Sequence, residues 1–258
     1  QAAAKAEKLL QESKVLVTPG STLVIEPQGA EYAPFFARQK ARMNLVVMLP
    51  ADRALDVELE TKNGDIAAEA VAIDDMFLAS TLNGDIAVRD LNGLVDVKTE
   101  NGDVELRRIG GPVRVKTLNG EIEVEDVAGN AVLETSNGDV EALFVRGSVE
   151  AETRNGDVKL TEIPEAVMVK TYNGDIEVST SRVGGDWVIE TRNGTVELEL
   201  PADGDYTVEA DTIYGDVETN VPGLTTTKHR ITGVVGTGEH LLNIATNSDI
   251  DIVAKPGY

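Results

Sequence analysis

The chain of 258 residues has no cysteine, only two histidines and few aromatic residues, which make up 4% of the sequence. Without cysteine it forms no disulfide and no thiolate metal site. His229 and His240 have no partner at ligand spacing, so the sequence does not predict a zinc centre. The scarcity of rings also excludes a core of large aromatic side chains, so small β-branched residues must fill it.

Positive charge is also scarce, because 23 basic residues stand against 45 acidic ones and give a net charge of −22. Nucleic acid and anionic lipid would be repelled, so neither is an expected partner. No run of about 18 apolar residues occurs, and we therefore expect no transmembrane segment. The chain begins at Gln1 without a methionine, and we expect a mature or trimmed form that lacks its location signals.

A Thr-x-Asn-Gly-acid phrase recurs along most of the chain, as in "TLNGEI" from Thr117 and "TYNGDI" from Thr171. The threonines are Thr61, Thr81, Thr99, Thr117, Thr135, Thr153, Thr171 and Thr191, with a degenerate ninth copy at Thr212 and an echo at Thr246. From Thr81 to Thr171, consecutive threonines are separated by five identical 18-residue steps. A fixed period of this size is typical of a repeat architecture.

Apolar and polar residues alternate on both sides of each phrase, which predicts two short, half-buried strands per period. Asn-Gly predicts a tight corner, because both residues tolerate positive φ. The other corner is looser and often contains glycine, as in "RRIGGP" from Arg107.

Two all-β folds fit this pattern. Stacked coils need a constant length, so the strict 18-residue step favours a single-stranded parallel β-solenoid with coils about 4.8 Å apart. The alternative is an antiparallel meander with hairpins closed by Asn-Gly. The meander is supported by opposite charges that it would pair, such as Lys98 with Glu105 and Lys116 with Glu123.

The predicted organisation is one repeat domain with atypical ends. Residues 1–13 are predicted to form a short helix or to be the remnant of a linker, because they are rich in alanine, lysine, glutamate and leucine. Residues 14–258 are predicted to form the solenoid. Its regular coils span about 55–220, and 221–258 form a capping segment that hides an open edge.

The repeated "TxNGDI" and "TxNGDV" phrases resemble the bacterial β-strand-repeat family DUF4097, a neighbour of the head GIN domain family. The resemblance includes the entry "LPADRALDVELETKNGDI" from Leu49 and the ending "ITGVVGTGEHLLNIATNSDIDI" from Ile231. It implies a β-solenoid-like fold and an adhesin-like role in the envelope or at the surface of a bacterium. The departures are Tyr214 and Ser248, which replace the Asn of the ninth copy and the Gly of the last.

The acid of each phrase gives the one candidate site, a column that would stack along one edge of a solenoid. We take Asp103, Glu121, Asp139, Asp157 and Asp175 as candidates for a cation-binding edge, with calcium as the possible ion. The competing interpretation is turn chemistry, in which each carboxylate accepts backbone N–H bonds within its corner. The asparagines allow a similar choice between a ladder of amide hydrogen bonds and a glycan-binding edge.

The sequence predicts a non-enzymatic structural or interaction module that displays a repetitive acidic surface at the cell envelope, outside the cytoplasm. It predicts no catalytic residue and no cofactor, and the expected partner is a protein or a glycan. One alternative is a carbohydrate-binding or carbohydrate-active β-helix, which the small number of aromatic residues disfavours because sugars usually stack on aromatic rings. The other is a calcium-stabilised β-roll.

Overall fold

The computed structural model describes residues 14–18, 24–28, 47, 49 and 54–255. The chain divides into two compact units, Gln1–Leu49 and Pro50–Tyr258. In the first unit, β1 (Lys14–Thr18) and β2 (Val24–Gln28) pair in antiparallel fashion. The predicted helix over residues 1–13 lies outside the described residues.

The second unit is a β-solenoid, and its described part contains no helix. Its first eight coils follow chain order, with two strands in each. Coils 1 to 4 comprise β3 (Leu55–Glu60), β4 (Ile66–Glu69), β5 (Ile73–Ser80), β6 (Ile86–Leu91), β7 (Leu94–Lys98), β8 (Val104–Ile109), β9 (Val113–Lys116) and β10 (Ile122–Val127). Coils 5 to 8 comprise β11 (Ala131–Glu134), β12 (Val140–Val145), β13 (Val149–Glu152), β14 (Val158–Thr161), β15 (Val167–Asn173), β16 (Ile176–Ser179), β17 (Trp187–Asn193) and β18 (Val196–Pro201).

Equivalent strands of neighbouring coils pair in parallel. The second strand of each coil lies in a 10-stranded sheet, sheet 1, and the first strand lies in a 12-stranded sheet, sheet 2. In sheet 1, for example, Ile122 of β10 is in register with Val104 of β8 and with Val140 of β12. The solenoid prediction is confirmed and the meander alternative is wrong, because equivalent strands pair in parallel. Charges accordingly pair between coils and not across Asn-Gly hairpins. Lys159 donates to Glu177 of the next coil at 2.9 Å.

Two steps between successive threonines are 20 residues long, from Thr61 to Thr81 and from Thr171 to Thr191, and both have local causes. Between coils 1 and 2 the longer β5 runs beside β3, and the register shifts between Leu55 and Val57. Between coils 7 and 8 the extra residues fall after β16, in the loop that leads to Trp187 of β17. The strands on either side of each insertion still pair in parallel.

The last quarter of the unit departs from chain order. It comprises β19 (Tyr206–Thr212), β20 (Val217–Thr219), β21 (Leu224–Thr226), β22 (Arg230–Val235), β23 (His240–Thr246) and β24 (Ile250–Lys255). We call β23 and β24 the inserted coil and β19 and β20 the outer coil. The inserted coil pairs with β17 and β18 on one side and with the outer coil on the other.

The C-terminal segment therefore differs from the predicted cap over 221–258. Only β21 and β22 lie at the end of sheet 2, where β22 pairs with β19 and with β21 in antiparallel fashion. The segment 240–255, at the end of the described chain, instead lies inside the stack, between coil 8 and the outer coil. The "TNSDIDI" echo at Thr246 is thus the ninth rung in space, and the degenerate copy at Thr212 is the tenth.

Strand residues that point inward from both sheets join one continuous core of valine, isoleucine, leucine and alanine. Alternation is regular, as in β9, where Val113 and Val115 are buried and Arg114 and Lys116 are exposed. Burying each such side chain stabilises the fold by roughly 1.5–3 kcal/mol. The largest buried rings are Phe77, Trp187 and Tyr206, and two of these three lie at the C-terminal end. No helix in the described residues has the length and apolarity needed to cross a bilayer.

Candidate functional site: the Asn-Gly corner and its groove

From Thr81 to Thr191, the threonine of each phrase is buried and hydrogen-bonds to the preceding coil. Its Oγ1 donates to the carbonyl of the glycine in the preceding phrase, as from Thr153 to Gly138 at 3.1 Å. The same bond occurs from Thr81, Thr99, Thr117, Thr135, Thr171 and Thr191. A buried hydroxyl must find a partner, and this carbonyl supplies it in coils 2 to 8. These threonines therefore form an inward-facing column that is hydrogen-bonded from coil to coil.

The asparagines form the predicted amide ladder. Asn137 Nδ2 donates to Asn119 Oδ1 at 2.9 Å, and Asn155 Nδ2 donates to Asn137 Oδ1 at 2.9 Å. The ladder runs without a gap from Asn63 to Asn193. Each interior amide uses its oxygen and one of its two N–H groups in the ladder, which leaves only the second N–H for the alternative of a glycan-binding edge.

The acids form a third ladder, in which a carboxylate oxygen accepts the backbone N–H of the residue after Asn-Gly in the next coil. Asp139 Oδ1 accepts from Asp157 N at 2.8 Å, and Asp157 Oδ1 accepts from Asp175 N at 2.8 Å. Asp65, Asp85, Asp103 and Asp175 act in the same way. Each ladder aspartate therefore uses one oxygen to accept an N–H of the next coil, and not an N–H of its own corner as the turn interpretation predicted.

Glu121 is the exception among the candidates for a cation-binding edge. Its N–H donates to Asp103 Oδ1 at 2.9 Å, but Asp139 N has no carboxylate acceptor among the described residues. The additional methylene of glutamate carries its carboxylate away from the place that an aspartate fills. In the described part of the chain, no group of three or more histidine, aspartate or glutamate side chains is arranged to hold a metal ion.

Close stacking explains why glycine follows each asparagine. Gly138 has φ 153°, and a Cβ at this position would lie 2.0 Å from the carbonyl oxygen of Gly120 in the coil below. The asparagines of the phrases, by contrast, do not adopt positive φ, and that part of the sequence prediction is wrong. Asparagine backbones bridge one another in parallel between coils, which requires an extended conformation, so glycine alone makes the bend.

The second corner, which joins the second strand of one coil to the first strand of the next, bends through a different backbone conformation. In each of six coils, one residue adopts a left-handed conformation with φ between 53° and 57°. These residues are Ala70, Asp90, Arg108, Asp126, Phe144 and Glu162. Because such different residue types share this position, no composition signal in the sequence could have identified it. Phe144 is unusual among them, since a bulky residue is strained at positive φ and 51% of its surface is exposed.

A groove of about 1040 Å³ runs beside the Asn-Gly corner, across coils 4 to 8 and the C-terminal coils. The buried threonine column forms its floor. One wall is formed by the residue between Thr and Asn, namely Leu118, Ser136, Arg154, Tyr172, Arg192 and Ile213. The other wall is formed by outward residues of sheet 2, namely Lys116, Glu134, Glu152, Lys170, Glu190 and Asp211.

The first wall concentrates positive charge and an aromatic ring on three successive coils. The Arg192 guanidinium lies 5.0 Å from the centre of the Tyr172 ring, and its Nη1 donates to the Tyr172 hydroxyl at 2.9 Å. Neither Arg154 nor Arg192 forms an ion pair with a carboxylate among the described residues, although the chain carries a net charge of −22. The sequence does not reveal this cluster, because its members belong to different coils and are far apart along the chain.

Perturbed acids lie outside the groove and have structural causes. The hydrogen bond from Arg89 lowers the pKa of Glu105, with Nη2 at 2.7 Å from Oε1. The hydrogen bond from Arg108 likewise lowers the pKa of Asp90. Burial raises the pKa of Tyr206 to about 12, and its hydroxyl donates to the Pro201 carbonyl at 2.8 Å. These groups take part in ion pairs or hydrogen bonds, and Arg108 also lines a cleft of about 570 Å³ at the other corner.

Glu162 connects a regular coil to the inserted coil. Its carboxylate accepts from Lys255 of β24 and, at 2.6 Å, from the Ser181 hydroxyl. Partial burial acts to raise the pKa of Glu162, but the hydrogen bonds from Lys255 and Ser181 outweigh it and hold the pKa below its usual range. The ion pair therefore holds the inserted coil in place near neutral pH.

The parallel coils and their three corner ladders define a β-solenoid repeat protein. The family model described as Toastrack DUF4097 matches residues 2–165 and 146–253. The chain belongs to this Toastrack family, as the resemblance of its repeated phrases indicated. No curated protein and no solved structure matches the chain.

Proposed function

We propose that the chain is a non-enzymatic interaction module of the bacterial cell envelope, and that it binds an extended partner along the groove beside the Asn-Gly corner. The observation that carries this proposal is the wall formed by Arg154, Tyr172 and Arg192. On a chain of net charge −22, two arginines without carboxylate partners in the described residues stand beside an exposed ring. Arginine and tyrosine are the residue types enriched where proteins bind partners.

The shape of the groove supports an extended partner. Its lining residues repeat at the coil spacing of about 4.8 Å, so that a chain lying along the solenoid axis meets an equivalent position at each step. The threonine floor offers methyl groups and backbone, since its hydroxyls are already bonded to glycine carbonyls. Specificity would then come from the two walls, and the second wall carries both glutamate and lysine.

The scaffold supports display rather than catalysis. The threonine and asparagine ladders fix coils 1 to 8 to one another in succession, the acid ladder adds to them except at Glu121, and a surface held in this way loses little conformational freedom when a partner binds. Glu105 and Asp90, whose pKa values are lowered, belong to ion pairs with Arg89 and Arg108. The envelope setting follows from the family resemblance, and fractionation of cells that produce the natural protein tests it.

Binding to a cell-envelope fraction tests the groove. We expect the wild type to be retained and the double variant Arg154→Glu/Arg192→Glu to lose at least about tenfold in affinity, or about 1.4 kcal/mol. Arg146→Glu is the matched control, because Arg146 is 74% exposed and lies at the other corner. Equal binding by all three proteins would show that the groove is not the binding surface. Failure of the wild type to bind would contradict the proposed function itself.

A carbohydrate partner is the second candidate, and Tyr172 favours it. The ring is 44% exposed in the groove, where a sugar could pack against its apolar surface while Arg154 and Arg192 bind hydroxyl or carboxylate groups. Protease digestion of the envelope fraction separates the two candidates. A protein partner would be lost on digestion, whereas a glycan partner would survive it and be destroyed by periodate.

A further inference from the structure

The sequence contains nine Asn-Gly dipeptides, all of them in the described part of the chain. Asn-Gly is chemically labile in flexible peptides, because the glycine nitrogen can attack the asparagine side chain without obstruction from a Cβ. The attack requires that the glycine nitrogen lose its proton and approach Cγ. Both requirements depend on whether the N–H is held in a hydrogen bond.

In seven of the nine dipeptides the fold holds the glycine N–H. Gly138 N donates to the Asn155 carbonyl of the next coil at 3.0 Å, and Gly156 N donates to the Asn173 carbonyl at 3.0 Å. Gly64, Gly84, Gly102, Gly120 and Gly174 make the same bond. The side-chain ladder adds a second restraint, because the interior amides both donate and accept. In these corners both the glycine N–H and the asparagine amide are therefore held in hydrogen bonds.

Gly194 differs because the inserted coil follows it in space. That coil presents Asn247-Ser248 at the corner, and no acceptor for Gly194 N occurs among the described residues. Asn193 is also the last rung of the amide ladder. Its Nδ2 donates to Asn173 Oδ1 at 2.8 Å, but its own Oδ1 receives no hydrogen bond from the described residues.

Asn92-Gly93 is the ninth dipeptide and lies at the other corner, between β6 and β7. Within the described chain, Gly93 N has no hydrogen-bond acceptor and the Asn92 amide has no donor or acceptor partner. Gly93 has φ 105°, a backbone conformation outside the regular corner geometry. Asn92 is exposed to water, as is Asn193.

We infer that Asn92 and Asn193 are sites of spontaneous deamidation and that the ladder protects the other seven Asn-Gly asparagines. At Asn193, the deprotonated Gly194 nitrogen attacks Cγ and forms a five-membered succinimide. The Cγ–Nδ2 bond breaks, and the nitrogen takes up a proton and leaves as ammonia. Water then opens the ring at either carbonyl and gives aspartate or isoaspartate. The sum is addition of one water and loss of one ammonia, with no oxidant.

The two sites have different consequences for the fold. Isoaspartate lengthens the main chain by one methylene. At Asn193 this change falls where Thr246 Oγ1 of the inserted coil donates to the Gly194 carbonyl at 2.8 Å. Modification there would weaken the attachment of the inserted coil to coil 8. At Asn92 the added carbon falls in the connection between coils 2 and 3, away from the C-terminal end.

Peptide mapping by mass spectrometry tests the inference on the full chain. The native protein and a sample unfolded in urea are incubated at mildly alkaline pH, and each Asn-Gly peptide is scored for conversion of amide to acid. In the native protein we expect conversion at Asn92 and Asn193 to be at least about tenfold faster than at the seven ladder positions. In urea we expect all nine to convert at similar rates.

Asn193→Gln serves as the assignment control, because glutamine cannot form the five-membered ring. It should abolish conversion in its own peptide and leave that of Asn92 unchanged. Comparable rates at ladder and non-ladder positions in the native protein would overturn the inference. So would a native protein in which no asparagine converts while all nine convert in urea, because an unbonded N–H would then not suffice.

Discussion

The central coils and the C-terminal end of the solenoid solve the same stacking problem in different ways. In coils 3 to 7 each coil follows its neighbour in the chain, and three ladders connect the same positions of successive phrases, with one gap in the acid ladder above Glu121. At the C-terminal end the coil that stacks on β17 and β18 comes from residues 240–255, which follow the outer coil in the chain. Regular repetition is thus replaced by an insertion that closes the stack.

The difference shows what each arrangement requires. The central coils depend on glycine, because the carbonyl below leaves no space for a Cβ. The C-terminal end depends on large buried rings and on long-range contacts, among them Trp187, Tyr206 and the ion pair of Glu162 with Lys255. We therefore expect damage to spread along the stack in the central coils and to remain local at the C-terminal end.

Gly138→Val should give the largest effect. Its Cβ would lie 2.0 Å from the Gly120 carbonyl oxygen, at a φ of 153° that β-branched residues avoid. Strain of about 1–3 kcal/mol and overpacking of a similar size add to an expected loss of roughly 2–6 kcal/mol in the free energy of unfolding. Equilibrium unfolding in urea, followed by circular dichroism, measures it.

Gly64→Val is the matched control for this prediction. Gly64 has a similar φ of 148°, but among the described residues a Cβ there would meet only Thr61 Oγ1, at 3.9 Å. Backbone strain remains and the clash with a lower coil is removed, so the loss should be only about 1–3 kcal/mol. Equal losses for the two variants would mean that strain, and not the close approach of the coils, explains the glycine column.

Ile244→Ala tests the inserted coil. Ile244 is fully buried in β23, and truncation of such a side chain costs about 2–5 kcal/mol. Native-state hydrogen exchange should show faster exchange in β19 to β24, with the amides of β9 to β14 little changed. The equivalent truncation Val115→Ala in β9, also a fully buried position, should instead affect the coils on both sides of it. Uniform loss of protection in both variants would contradict the local character of the C-terminal end.

The sequence predicted the regular coils well, because each is encoded locally. Alternating valines and Asn-Gly predict two short strands and a corner in each coil before any long-range contact is known, and the constant 18-residue step favours stacking of the coils in parallel. The threonine and asparagine columns follow from the same register.

Other features could not be predicted, because they depend on spatial order. Thr246 and Thr212 belong to phrases that look like the final two copies in chain order, and nothing local reveals that their order is reversed in the stack. The left-handed corner of Phe144 has no residue signature. The groove wall requires Arg154, Tyr172 and Arg192 from three coils to be placed side by side.

Glu162→Gln should weaken the C-terminal end by about 1–2 kcal/mol near neutral pH, through loss of a charge-assisted hydrogen bond from Lys255. The pKa of Glu162 is held below its usual range, so the carboxylate binds protons less readily in the folded protein than in the unfolded one. Its contribution is therefore complete above the unfolded pKa and is lost as the pH falls through the folded pKa.

Thermal melts of Glu162→Gln and wild type between neutral and acidic pH measure this contribution. We expect the difference between the two proteins to shrink as the pH falls below about 4, where glutamate becomes protonated. Asp90→Asn is a suitable comparison, since Asp90 also pairs with a cation, Arg108, but lies in coil 2. A difference that stays constant with pH would show that the ion pair does not stabilise the fold.

Glu121→Asp should stabilise the central coils by about 0.5–1.5 kcal/mol, the usual net contribution of one hydrogen bond. Asp139 N is the ladder position without a carboxylate acceptor in the described chain, because Glu121 lies below it. The shorter side chain restores the geometry by which Asp139 Oδ1 accepts from Asp157 N. The reverse change, Asp103→Glu, should remove the acceptor of Glu121 N and destabilise by a similar amount. If both variants melt like the wild type, the acid ladder contributes nothing measurable.

Removal of divalent cations should have the smallest effect, and we expect EDTA to leave the melting temperature unchanged. The carboxylates of Asp103, Asp139, Asp157 and Asp175 each use one oxygen to accept a backbone N–H, so hydrogen bonds already hold the acid column together. Asp157→Asn separates this account from calcium binding, because its side chain retains an oxygen that can accept from Asp175 N while losing the charge that attracts a cation. A melting temperature that rises with millimolar calcium in the wild type, but not in Asp157→Asn, would make the column a cation-binding edge in addition to a hydrogen-bond ladder.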